Sequence, residues 1–251
     1  MEINRSAIKY NAKLAMTAAK PHNAFLVAAV YWGFNLLLVF LSSAIMRPFY
    51  NAIEVLAQSA YLGPLVALVE RADLPLLAPI PVLLYIAISV ITSILSVGFS
   101  LFAMRVSRYQ PSTVGTLFDG FGLFFKAIGL SIVQGFFIFL WSLLFYIPGL
   151  IAALRYSQAY FIMLDHPEYS IMQCMRESKR LMSGREGEFF VLELSFFGWA
   201  MLSVVPFVSI WVLPYMRVTM ANYYNALVDL DWKSSQYQAP QMPPSGPGFG
   251  F

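Results

Sequence analysis

PIPVLLYIAISVITSILSVGFSLFAM, residues 79–104, runs its whole length without a charged side chain. A bilayer core about 30 Å thick is crossed by roughly 20 apolar residues in helical form, so this stretch reads as a transmembrane helix. Working outward from it, five more long stretches are predominantly apolar, at 24–46, 122–147, 149–165, 189–205 and 208–228. The fourth and fifth stand near the short end for a span, about 17 residues. Charges gather in the gaps between the stretches. The pattern predicts an all-α fold, a polytopic transmembrane helical bundle of about six spans. Composition agrees: 59% of the 251 residues are hydrophobic and 12% charged, against about 25% charged in ordinary globular chains.

The same composition excludes several classes. Arg5, Lys9, Lys13 and Lys20 occupy the first twenty residues, so no apolar signal-peptide core precedes the first span, which is expected to act as an uncleaved insertion signal. The single cysteine, Cys174, rules out an internal disulfide and a cysteine-based metal cluster. His22 and His166 lie apart, each beside a proline, and read as solvated loop residues. The net charge of +3 matters through its distribution, and no nucleic-acid partner is expected.

That distribution orients the chain. Arg5, Lys9, Lys13 and Lys20 precede the first span; Arg105, Arg108 and Lys126 border the second and third. Arg176, Lys179, Arg180 and Arg185 separate the fourth and fifth, and Lys233 follows the sixth. The opposite face receives Arg47 and Arg71, with Glu54, Glu70 and Asp73 beside them. Basic residues accumulate on the cytoplasmic side, so both termini are expected there, in the cell membrane.

Two segments read as amphipathic surface helices. In residues 1–20 the four basic residues fall within one quarter of a helical wheel, opposite Ile3, Ala7, Tyr10 and Leu14. Such a face fits an interfacial helix on anionic headgroups. In residues 168–184, Ile171, Cys174, Met175, Leu181 and Met182 share one face, Arg176, Lys179 and Arg180 the other, and Gly184 is the expected stop. With the shorter stretch 112–120 these outline three copies of surface helix, span, outward turn and returning span. The first outward turn, 47–78, is expected to hold an amphipathic helix of its own (Phe49, Ile53, Leu56). The returning spans share Arg155, Ser157, Ala159 and Arg217, Thr219, Ala221. Residues 1–235 make one transmembrane domain, and the Pro/Gly-rich 236–251 a disordered cytoplasmic tail.

Chemistry-bearing residues inside the spans are few. Arg155 and Arg217 are costly in a membrane unless they meet protein, water or a counter-ion. Glu193 is the natural partner of Arg217, since an antiparallel hairpin turning at Pro206 brings them level. Ser157 and Thr219, on the same returning spans, complete a candidate contact for an anionic group or lipid headgroup, or they bond between helices. No zinc helix, nucleophile elbow or phosphate-binding glycine loop is present, and no catalytic residue, metal or cofactor is expected.

A resemblance rests on an ordered set of segments: Leu140 to Gly149 (LWSLLFYIPG), Tyr156-Ser157, Ser178 to Gly184 (SKRLMSG), Ser195 to Trp199 (SFFGW) and Pro214-Tyr215. Over residues 110–228 the chain resembles a bacterial family of multi-pass membrane proteins classified only as a domain of unknown function, itself distantly similar to the membrane domain fused to some glycerophosphodiester phosphodiesterases. The resemblance implies a polytopic bacterial membrane protein and transfers no active site. The functional expectation is a non-enzymatic module that organises lipids or partner proteins, a second copy included. The alternatives are a carrier for a lipid or small anionic solute and an intramembrane enzyme.

Overall fold

The computed structural model describes residues 3–18, 21–59, 79–202 and 206–238. Every regular element among them is helical: α1 (Arg5–Ala18), α2 (Pro21–Ser59), α3 (Pro79–Ser107), α4 (Thr116–Asp119) with a 3-10 turn at Gly120–Leu123, α5 (Phe124–Leu144), α6 (Tyr146–Tyr156), α7 (Ala159–Asp165), α8 (Ile171–Met182), α9 (Glu186–Leu194), α10 (Phe197–Leu202) and α11 (Pro206–Gln238).

Four stretches, rather than six, are long and apolar enough to cross a membrane among the described residues: Ala24–Arg47, Val82–Ser107, Thr116–Leu144 and Tyr146–Asp165. The expected fifth span is broken at Ser195-Phe196 into helices of nine and six residues. The expected sixth lies in a helix of 33 residues, but Arg217, Asn222, Asn225, Asp229 and Asp231 on it lower its hydropathy. The first outward turn is no separate element at its start, because α2 continues unbroken for 39 residues to Ser59. That is about 58 Å of helix, well beyond a bilayer core. Residues 60–78, with Arg71, Glu70 and Asp73, lie outside the described residues, as do Lys20 and 239–251. Of the expected tail, 236–238 close α11.

Local rules set the helix ends. Asn4 caps α1, its Oδ1 accepting from the N–H groups of Ser6 and Ala7 at 3.0 and 3.2 Å. α3 ends in a Schellman turn: Gln110 N–H bonds the Arg105 carbonyl at 2.8 Å and Tyr109 N–H the Val106 carbonyl at 3.0 Å. The turn puts Tyr109 at φ 57°, a left-handed conformation that costs a side chain of this size about 1 kcal/mol or more. A capping box opens α8, where Ser170 and Gln173 bond each other's backbone N–H reciprocally. Gly184, at φ 77°, follows its end.

The core is lopsided. Buried side chains crowd the half of the bundle containing Ala24–Ala28, Val97–Val106, Leu154–Leu164, Cys174–Met182 and Val218–Leu227. In the other half Leu37, Phe40, Leu83, Phe136, Phe139 and Leu143 are exposed to between 60% and 73%, the surface expected where lipid chains replace water. Within the most apolar stretch of Thr116–Leu144 only 11% of residues are buried. Backbones touch where glycines allow it: a Cβ on Gly98 would stand 1.9 Å from the Leu117 carbonyl oxygen.

The packed half owes its thickness to the elements that do not qualify as spans. α8 buries the predicted face, Cys174, Met175, Leu181 and Met182, and leaves Arg176, Lys179 and Arg180 exposed. Of the expected apolar face of the N-terminal segment only Ile3, just before α1, is buried in the bundle. The helix itself buries Ile8, Ala12, Ala15 and Met16, while Tyr10 and Leu14 remain 63% and 42% exposed. The helix has two apolar sides, and the one carrying Ile8, Ala12, Ala15 and Met16 is the one that packs. Lys9, expected on headgroups, bonds Ser195 Oγ at 2.6 Å and lies 4.5 Å from the Phe196 ring. The helices that precede the three hairpins have 14, 4 and 12 residues, so the proposed copies differ in their first part.

Candidate functional site

The residues singled out from sequence do not converge. Arg155 donates from Nε to Glu186 Oε1 at 2.7 Å. Burial pushes the Glu186 carboxyl up, but the hydrogen bonds from Arg155, its own N–H and the Gly184 N–H outweigh it and hold it below the ordinary value. Glu186 thereby ties the start of α9 to the end of α6. Ser157 donates to the Leu154 carbonyl at 2.8 Å and accepts from Gln158 Nε2 at 3.0 Å. Thr219 is fully buried and returns its hydroxyl to the Tyr215 carbonyl at 2.7 Å.

Arg217 and Glu193 do not pair, and neither joins an ion pair among the described residues. The expected register is nearly right, since Phe189 meets Tyr223 at 5.0 Å and Phe196 meets Tyr215 at 5.6 Å between ring centroids. The faces are wrong. α9 turns Phe189 and Leu192 inward and leaves Glu193 exposed.

Arg155 and Ser157 flank an interruption between α6 and α7. There Ser178 of α8, itself fully buried, donates to the Arg155 carbonyl at 2.7 Å and accepts from the Gln158 N–H at 3.2 Å. Backbone groups freed by the break are thus paired by one hydroxyl, as interrupted membrane helices require. The contact also shows that α8, with its charged face exposed, runs back along the fourth apolar stretch as far as Arg155. Arg155 therefore lies in the packed half, midway along the fourth qualifying span and on protein rather than on lipid.

The densest polar network centres on two residues that the sequence marks only as borders, Arg108 and Asp165. Arg108, just past α3, holds Asp165 at the end of α7 with both terminal nitrogens, at 2.6 and 2.9 Å. Its Nε donates to Asn225 Oδ1 at 3.1 Å; Asn225 Nδ2 donates to Ser107 Oγ, and Tyr224 OH to Asp165 Oδ2, each at 3.0 Å. Three helix segments distant in sequence are locked together. The Asp165 hydrogen bonds raise the Arg108 pKa above its ordinary value against the opposing effect of burial. The available signal was positional: Arg108 and Asp165 end two predicted stretches on the same face, and Asn225 and Tyr224 lie near the end of a third.

Further ion pairs brace the same half. Arg180 reaches Asp231 at 2.6 and 2.7 Å and Glu177 at 2.6 and 3.0 Å, joining α8 to α11. Arg105 pairs with Asp119 at 3.0 Å, and Lys126 donates to the Pro167 carbonyl at 2.6 Å. Two clefts open between these groups. One, about 400 Å³, is lined by Arg180, Arg185, Lys233 and Asp231. The other, about 520 Å³, lies between α1, the end of α3 and α11, and is lined by Arg108, Asn222, Asn225 and Asp229 among others. Among the described residues no three His, Cys, Asp or Glu side chains gather as a metal site would need.

Residues 143–231 match the family described as Protein of unknown function (DUF975). That segment runs from the end of α5 into α11 and includes Asp165, the Arg155–Glu186 pair and Asn225. No curated protein and no solved structure matches the chain. The more distant likeness to a phosphodiesterase-linked membrane domain finds no support in these comparisons.

Proposed function

We propose that this chain is a non-enzymatic bacterial cell-membrane module with four crossings and a rigid cytoplasmic cap that organises lipids or partner proteins. The observation that carries the reading is the lock of Arg108 on Asp165, Tyr224 and Asn225. It fixes the ends of α3 and α7 and the middle of α11 into one polar layer; large exposed apolar side chains lie along the spans and also on α9 and α10, Leu194, Phe197 and Met201 among them. The excess of Lys and Arg on the capped half orients it to the cytoplasm. In this reading α9, α10 and α11 pack against the cytoplasmic halves of the spans rather than crossing. Support comes from Lys9 on Ser195 and from Phe25, at the start of the first apolar stretch, whose ring centroid lies 4.2 Å from that of Trp211 at a tilt of 41°.

A carrier reading draws on one specific observation. Gln158 Oε1, Asn222 Nδ2 and Tyr223 OH are buried without partners, on the elements where the sequence placed a path for a lipid or small anionic solute. Native mass spectrometry of the gently extracted protein tests the choice. The module predicts retained lipids, partner subunits or a second copy. Uptake of an anionic solute by proteoliposomes that is lost in Arg217→Leu would replace the module with the carrier.

A further inference from the structure

The cleft between α1, the end of α3 and α11 is rich in donors that nothing accepts. A guanidinium has five N–H groups; Arg108 spends one on Asn225 and two on Asp165, which leaves two. Asn222 Nδ2 is buried with no acceptor, and Asn225 has given only one of its two amide hydrogens, to Ser107. A buried amide in this state is costly until an acceptor arrives. The cleft holds one free carboxylate, Asp229, exposed on α11 and close enough to Arg108 to favour its charge. Ile8 and Val228 supply an apolar wall. Ser107 ends the second apolar stretch, so the cleft opens at the level where hydrocarbon gives way to headgroups.

We propose that this cleft binds a phosphate monoester or diester bearing a primary ammonium, the phosphate oxygens accepting from Asn222 and Arg108 and the ammonium donating to Asp229. Phosphate suits a cluster of amide and guanidinium donors. A carboxylate at the rim disfavours a purely anionic ligand and favours one that carries its own cation nearby. The chemistry is shared by an ethanolamine phospholipid headgroup and by free phosphoethanolamine. The inference rests on the reading of the packed half as a lipid-contacting cap, but it concerns one site within it.

The test uses the full chain in nanodiscs of phosphatidylcholine doped with phosphatidylethanolamine or with phosphatidylglycerol, and bound lipid is counted by native mass spectrometry. A parallel titration uses O-phosphoethanolamine in solution. The expected result is about tenfold preference for the ethanolamine over the choline headgroup, the loss of one charge-assisted hydrogen bond. Asp229→Asn should abolish that preference, while Asn222→Leu weakens every phosphate ligand. Saturable binding in the titration alone would assign the site to the free compound, and in the nanodiscs alone to the lipid. Equal retention of the three headgroups, together with no binding of O-phosphoethanolamine, overturns the proposal. So does an ethanolamine preference unchanged in Asp229→Asn, an exposed and conservative substitution that leaves the fold intact. Either failure can occur with the topology unchanged, so it leaves the four-crossing cap standing.

Discussion

Arg108 and Asp165 lie 57 positions apart and meet through two parallel hydrogen bonds of 2.6 and 2.9 Å, with 31% and 22% of their side chains exposed. A bidentate, half-buried pair of this kind is worth more than a surface ion pair, whose typical contribution is about 0–1 kcal/mol. Removing one partner strands the other among polar groups that no longer match it. Arg108→Ala is expected to destabilise the detergent-solubilised protein by about 2–3 kcal/mol. Asp165→Ala should do the same, and the double change less than the sum. A coupling energy near zero in the double-mutant cycle would mean that the pair contributes nothing to holding the cap.

Ser178 tests the interruption between α6 and α7. Without its hydroxyl, the Gln158 N–H and the Arg155 carbonyl lose their partner in a fully buried place. Ser178→Ala should cost about 1–3 kcal/mol, visible as a lower melting temperature. Ser157→Ala, whose hydroxyl only returns to its own helix at Leu154, should cost much less. The reverse order would place the structural hydroxyl at the wrong residue.

Gly98 makes a prediction about backbone contact. A methyl group there would meet the Leu117 carbonyl oxygen at 1.9 Å, and backbone has no rotamer through which to escape. Gly98→Ala should therefore destabilise by about 1–3 kcal/mol, although alanine is the better helix former by about 1 kcal/mol. Gly135→Ala, with nothing within 4 Å, should be neutral or slightly stabilising.

Acid should loosen the cap. The hydrogen bond from Arg180 holds Asp231 below its ordinary 3.8, burial opposing it. In Glu186 burial acts upward, but Arg155 and two backbone N–H groups bring the carboxyl below its ordinary 4.5. Both folded-state values are depressed, so the contribution is complete above the unfolded values and is lost as pH falls through the folded ones. The melting temperature should be flat from about pH 7 to 5 and decline below about pH 4.5. In Glu186→Gln the decline should be shallower. An unchanged slope would remove Glu186 from the account.

How legible was this in the sequence? The first four apolar stretches reappear as the four qualifying spans, because long apolar runs have no other reading, although α2 runs on to Ser59 and the fourth is divided between α6 and α7. The face of 171–182 was equally plain, since large apolar side chains recur on it at helical spacing. The packed side of α1 is hard to read because two of its four buried side chains are alanines, which a count of large residues passes over. Glu193 and Arg217 were placed nearly level but do not face each other, and level alone does not make a pair. The Arg108 network joins three segments by tertiary contact, for which the sequence carries position and no period.

Six apolar stretches and four qualifying spans differ most sharply at Met201, exposed on α10. The decisive measurement is labelling of Met201→Cys, in a Cys174→Ser background, by a membrane-impermeant thiol reagent on intact cells, with Lys233→Cys as the cytoplasmic reference. The account predicts that both positions react only after permeabilisation. Labelling of Met201→Cys from outside, with Lys233→Cys still protected, would show that the chain crosses six times and would contradict a cap built from α9, α10 and α11.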